Sequence, residues 1–189
     1  MMNKTNGTFT RRGILAAFAA TTVAAAPTYS SAAGFLRGGG DIRRLRMYSG
    51  RTGERIDMIY WVDGDYIRDA VDEINLFMRD WRTNDVKPID LRTLDILAAA
   101  HNMMDTSEPY MLISGYRSPR TNAMLRARGS GVAKNSRHLR GEAADVRLNS
   151  RSVHQLARAA LACQGGGVGR YSGSNFVHMD CGPVRSWGG

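Results

Sequence analysis

The run Ser136-Arg137-His138-Leu139-Arg140-Gly141-Glu142-Ala143-Ala144-Asp145-Val146-Arg147-Leu148 constrains this chain more than any other stretch. One His and one Asp bracket a Gly and two Ala. Small residues let backbones pack closely, and Gly reaches backbone angles that other residues avoid. Asp145 then sits in Ala-Asp-Val-Arg-Leu, whose alternation predicts a short strand. Asn175-Phe176-Val177-His178-Met179-Asp180 also alternates and supplies another His and another Asp. Residues i and i+2 of a strand share a face, so Phe176, His178 and Asp180 are expected to look one way and Val177 and Met179 toward the core. Imidazole and carboxylate suit Zn²⁺, and three protein ligands with an open water position form the usual catalytic zinc arrangement. His138, Asp145 and His178 are therefore a candidate metal triad.

The N-terminus reads as a leader rather than as fold. Lys4, Arg11 and Arg12 precede an Ala-rich apolar run from Gly13 to Ala26, and Ser31-Ala32-Ala33 resembles a cleavage site. Thr10-Arg11-Arg12-Gly13-Ile14-Leu15 sets paired arginines directly before that run, which predicts twin-arginine export over residues 1–33. A flexible linker, 34–41, follows with Gly38-Gly39-Gly40, and one domain is expected over 42–189. The full chain carries a net charge of +9, and residues 1–33 hold three basic and no acidic side chains, leaving +6 for the rest. A basic exported protein meets acidic polymers or membrane rather than nucleic acid. No internal apolar run is long enough to span a bilayer, so membrane contact is expected only during export. The two cysteines, Cys163 and Cys181, are expected to form a disulfide in an oxidising compartment; the alternative is two reduced small hydrophobes.

Periodicity supplies the remaining elements. Arg43 to Tyr48 and Arg55 to Trp61 read as a hairpin around Ser49-Gly50-Arg51-Thr52-Gly53-Glu54. Ile67, Ala70, Val71, Ile74, Phe77, Met78 and Trp81 predict a helix over 66–81. Asp90 is expected to cap a helix from Leu91 to Met104, with His101 a surface or packing residue. Pro109 to Gly115 predicts a buried strand ending in a turn, Thr121 to Arg128 a short basic helix, and Ser150 to Ala162 a helix capped by Ser150. Gly165-Gly166-Gly167-Val168-Gly169 lacks the Lys-Ser/Thr that would finish a phosphate loop and is expected to turn into a final hairpin.

The pattern Ser136-x-His138-x-x-Gly141-x-Ala143-x-Asp145, followed by a strand-borne His, resembles the signature of the zinc D-Ala-D-Ala metallopeptidases, a superfamily shared with lysostaphin and the hedgehog domain. Ser114-Gly115-Tyr116-Arg117-Ser118 and the segment from Phe176 to Trp187 resemble more closely its MepK-like murein endopeptidase branch, over residues 42 to 187. The resemblance implies an α+β fold, with a small antiparallel sheet carrying the metal site and helices flanking it. It implies a periplasmic enzyme that hydrolyses peptide cross-links of peptidoglycan, between meso-diaminopimelate and D-Ala or a second diaminopimelate; a monomer is expected. It also implies that Arg117 stands beside the scissile carbonyl.

Zinc-assisted amide hydrolysis needs a nucleophilic water, a base and a cation for the oxyanion. Many members of the superfamily it resembles carry Glu or Asp three positions before the last ligand or His two before it; here those positions are Asn175 and Phe176. Asp180 is the nearest carboxylate by strand geometry, as base or as orienter of a ligand, and Glu142 is a further candidate. Arg137 and Arg140 flank His138, either to hold substrate carboxylates or as a solvated face. Two other readings stand beside the endopeptidase: a D,D- or L,D-carboxypeptidase trimming stem ends, and a non-catalytic, zinc-stabilised murein-binding module.

Overall fold

A computed structural model of the chain describes residues 39–129 and 131–189. The expected leader over 1–33 and all but the end of the expected linker lie outside the described residues. No helix among the described residues is long and apolar enough to cross a membrane.

The hairpin forms from β1 (Ile42–Ser49) and β2 (Arg55–Val62), which pair antiparallel with Tyr48 opposite Arg55. Alternation along β1 buries Arg43, Leu45 and Met47. Arg43 is tolerated in the core phase because Asp95 lies 2.8 Å away and the Trp61 ring centre 4.3 Å away. The Tyr60 and Tyr66 hydroxyls donate to the same Asp95 carboxylate at 3.0 and 2.7 Å. A buried charge of this kind persists only when paired and hydrogen-bonded.

After the two-residue strand β3 (Asp65–Tyr66), α1 (Arg68–Phe77) buries Ala70, Ile74 and Phe77. It ends four residues before the expected Trp81. Asp80 explains the stop: its carboxylate accepts from the Arg82 and Ser118 backbone N–H groups, and the chain turns through a left-handed Asn84. Helix α2 (Leu91–Asn102) starts where Asp90 accepts from the Arg92 backbone N–H. It is buried on all sides from Thr93 to His101, because β1, β7 (Phe176–Asp180) and α4 (Val153–Ala162) pack around it. His101 packs against Tyr110 and meets the Glu108 carbonyl at 2.7 Å.

Beyond α2 come β4 (Tyr110–Ser114), α3 (Pro119–Ala127), a 3-10 turn (Arg137–Arg140) and β5 (Ala143–Arg147). Strands β6 (Gly167–Tyr171) and β8 (Arg185–Gly188) complete one eight-stranded sheet in the order β3-β2-β1-β4-β5-β7-β6-β8. The fold is α+β. The strands around Asp145 and His178 are antiparallel, but the sheet is larger than expected and mixed, because β1–β4 and β6–β8 pair in parallel. Ala144, Val146, Val177 and Met179 join the core, and the strand period leaves Asp145, His178 and Asp180 on the opposite face.

Two local expectations are corrected. Ser152, not Ser150, caps α4: its hydroxyl accepts from the Gln155 N–H while the Gln155 side chain accepts from the Ser152 N–H. Such a reciprocal box satisfies two donors at once. Ser150 instead donates to Glu108, whose carboxylate also accepts from the backbone of Asn149 and Ser150. The expected disulfide is absent, and Cys163 and Cys181 are free. Cys163 ends α4 with Sγ 3.3 Å from the Ala159 carbonyl and 3.8 Å from the Met103 sulfur. Cys181 follows β7, hydrogen-bonded to Thr93.

Candidate metal centre

Adjacent antiparallel strands bring the centre together. Asp145 of β5 stands directly opposite His178 of β7, and the 3-10 turn delivers His138 beside them. Gly141 closes that turn at φ 72°, where a Cβ would lie 2.3 Å from the Pro88 carbonyl oxygen. Only glycine meets both demands without strain.

His138 Nε2 lies 3.2 Å from Asp145 Oδ1 and 3.2 Å from His178 Nδ1, and His178 Nδ1 lies 2.8 Å from Asp145 Oδ1. The opposite nitrogen of each ring has its own acceptor. His138 Nδ1 is 2.7 Å from the Gly115 carbonyl, and His178 Nε2 is 3.0 Å from Asp180 Oδ2. With the ring protons on these outer nitrogens, the inner nitrogens face Asp145 as lone pairs. Three lone-pair atoms thus converge, and one ligand atom from each residue lies within 4.8 Å of the others. Tetrahedral zinc with arms of about 2.0 Å sets its ligands about 3.3 Å apart, so the donor set and spacing fit such an ion.

Electrostatics agree with a cation site. Burial alone would raise the Asp145 pKa, but the two imidazoles hold it well below the usual carboxylate range. Burial alone would lower the His178 pKa, yet hydrogen bonds to Asp145 and Asp180 raise it to about 9.

Asp180 is fully buried beside the centre. It faces His178 Nε2, accepts two hydrogen bonds from Arg185 and one from the Gly182 N–H, and lies 3.3 Å from Arg137. Burial opposes ionisation, but these partners hold its carboxyl far below the usual range. Glu142 lies outside the groove, bound by Arg137 at 2.7 Å and Arg140 at 2.9 Å. Arg117 is 8% exposed, and its Nη2 reaches Asp145 Oδ2 at 3.4 Å and Ser114 Oγ at 3.2 Å. Its Nε is buried with no hydrogen-bond partner.

A groove of about 630 Å³ opens over the three residues. Phe176 stands at its edge, stacked on Tyr171 with ring centres 4.6 Å apart. Trp187 of β8 lies 5.3 Å from the His178 ring and donates to the Tyr171 hydroxyl. Asn175 lies in the turn before β7 at φ 53°. Sequence reasoning assigned no part to the Gly115 carbonyl, Asp80 or Arg185. The Arg185 alternation with Trp187 was a usable signal, because both fall on one phase of a strand.

The family model described as "Peptidoglycan L,D-endopeptidase MepK" matches residues 37–187. The peptidoglycan L,D-endopeptidase MepK of Escherichia coli strain K12 is 42% identical over 145 residues, covering 77% of this chain and 80% of that protein. A probable peptidoglycan L,D-endopeptidase MepK of Haemophilus influenzae is 37% identical over 139 residues, covering 73% and 75%. Among solved structures, the Serratia marcescens L-Ala D-Glu endopeptidase ChiX is similar to 50% of this chain and 68% of that one, at 21% identity and a TM-score of 0.35. The extent of the family match and the 42% identity over 80% of the Escherichia coli relative place the chain in the MepK family of peptidoglycan L,D-endopeptidases.

Proposed function

We propose that the protein is an exported zinc endopeptidase that hydrolyses peptide cross-links in peptidoglycan. Residues 42–189 would be its peptidase domain, and the basic and apolar pattern of residues 1–33 supports twin-arginine export to the periplasm. The single observation that carries the reading is the convergence of His138 Nε2, Asp145 Oδ1 and His178 Nδ1, each ring having a second acceptor at its other nitrogen. The names of the relatives support murein as substrate.

His138, Asp145 and His178 would hold the ion, which when bound supplies Lewis acidity that makes water nucleophilic at neutral pH. The Gly115 carbonyl and Asp180 fix the two imidazoles in the required tautomers. Asp180 acts as orienter rather than base, because its oxygens are already engaged by His178, Arg185 and the Gly182 N–H. Arg117 lines the groove beside Asp145, and its guanidinium would stabilise the oxyanion as the carbonyl is attacked.

Wild type and His178→Ala are compared on purified cross-linked murein, with zinc assayed in both. The reading requires wild type to convert dimers to monomers and the variant to lose both zinc and activity. Release of D-Ala from stem ends with dimers intact would mark a carboxypeptidase instead. One observation favours a second reading. Asp145 and Asp180 are the only carboxylates lining the groove among the described residues, and both are engaged, which suits a zinc-stabilised murein-binding module. That module would bind sacculi and release nothing.

A further inference from the structure

The mouth of the groove is crowded with guanidinium groups. Arg137 and Arg140 come from the 3-10 turn and Arg185 from β8, and all three line the groove. They share two carboxylates, Glu142 and Asp180. Three guanidiniums carry about fifteen N–H donors, whereas two carboxylates accept about eight hydrogen bonds. Asp180 also faces His178 and the Gly182 N–H, which leaves fewer acceptor places for arginine. The side chains of Arg140 and Arg185 are 48% and 41% exposed, so the surplus donors meet solvent at the groove.

Fixed guanidinium forks match carboxylate geometry better than any other side chain. Glu142 binds both Arg137 and Arg140, which holds the two guanidiniums side by side at the groove. The aromatic side chains lining the same groove, Tyr171, Phe176 and Trp187, offer no competing anion, and the Arg185 guanidinium lies 4.8 Å from the Trp187 ring centre. We propose that Arg137, Arg140 and Arg185 form a carboxylate-selecting rim, which takes a free carboxylate of the stem peptide beside the scissile bond and rejects its carboxamide. The proposal rests on the reading of the groove as a murein site.

Defined cross-linked stem dimers are prepared with the carboxylates beside the scissile bond either free or amidated. The zinc-loaded protein is assayed for kcat/KM on each. Affinity for fluorescent, uncleavable monomers of both kinds is measured in parallel. Amidation is expected to lower kcat/KM and affinity by about tenfold or more, the weight of one charge-assisted hydrogen bond. Arg140→Gln is expected to weaken binding of the free acid and narrow the ratio several-fold, with zinc content and melting temperature unchanged. A residue that only solvates the surface would leave that ratio as it is. Equal cleavage and equal binding of acid and amide overturn the proposal while the peptidase reading survives. Acid-selective binding that depends on Arg140, with no cleavage of either dimer, keeps the rim and removes the peptidase.

Discussion

His178 Nε2 stands 3.0 Å from Asp180 Oδ2, two residues along the same strand, while its Nδ1 turns to Asp145 at 2.8 Å. One imidazole is therefore held by a carboxylate on each side. Loss of such an outer partner typically weakens metal binding about 10–100-fold. Asp180→Asn is expected to release zinc at correspondingly lower chelator concentration and to lower activity in proportion to the metal lost. If zinc binding is intact while activity vanishes, Asp180 is a proton acceptor and not an orienter.

Arg117 offers a sharper test of the chemical step. Removal of an oxyanion donor typically costs about 10²–10³ in kcat. Arg117→Ala is expected to fall in that range on murein dimers with zinc still bound. Loss of zinc in this variant would mean that Arg117 serves chiefly to neutralise Asp145, 3.4 Å away.

Asp80 ties the end of α1 to the segment carrying Arg117. Its carboxylate accepts from the Ser118 N–H at 2.9 Å and the Arg82 N–H at 3.1 Å. Burial opposes ionisation, but hydrogen bonds from Thr121 and Ser118 prevail and lower its pKa. A lowered carboxyl pKa contributes stability above the unfolded-state value and loses it as pH falls through the folded-state value. Asp80→Asn is expected to cost about 1.5–3 kcal/mol at pH 7, the range for hydrogen bonds to a charged group. Urea melts at falling pH are expected to show that difference shrinking below about pH 4. A difference independent of pH would mean that the charge contributes nothing.

Cys163 and Cys181 are expected to titrate as two free thiols in denaturant, and reductant is expected to leave the melting temperature unchanged. Burial raises the pKa of Cys163 to about 11, so its thiol is expected to react slowly in the folded protein. Recovery of a Cys163–Cys181 peptide without reduction would contradict this arrangement.

Local order was legible from local pattern. Alternation in Phe176 to Asp180 separated Val177 and Met179 from His178 and Asp180, and the spacing of Ile67 to Phe77 announced α1. Asp90 read as a cap because an acid before an apolar run satisfies orphan N–H groups wherever the helix sits. The ends were less legible: α1 stops at Phe77 because Asp80 bonds to Ser118, a partner 38 positions away.

Local pattern sets which residues can share a strand face, where small residues permit a tight turn, and that His and Asp stand ready at two separate places. These are properties of neighbours along the chain, governed by the two- and 3.6-residue periods. Tertiary structure alone decided that Asp145 pairs with His178, that the Gly115 carbonyl holds His138, and that Arg185 is bound to Asp180. It also kept Cys163 among α4 and Met103 rather than on Cys181. Sheet register and helix packing set those distances, and both depend on side chains far apart in the chain meeting in one core.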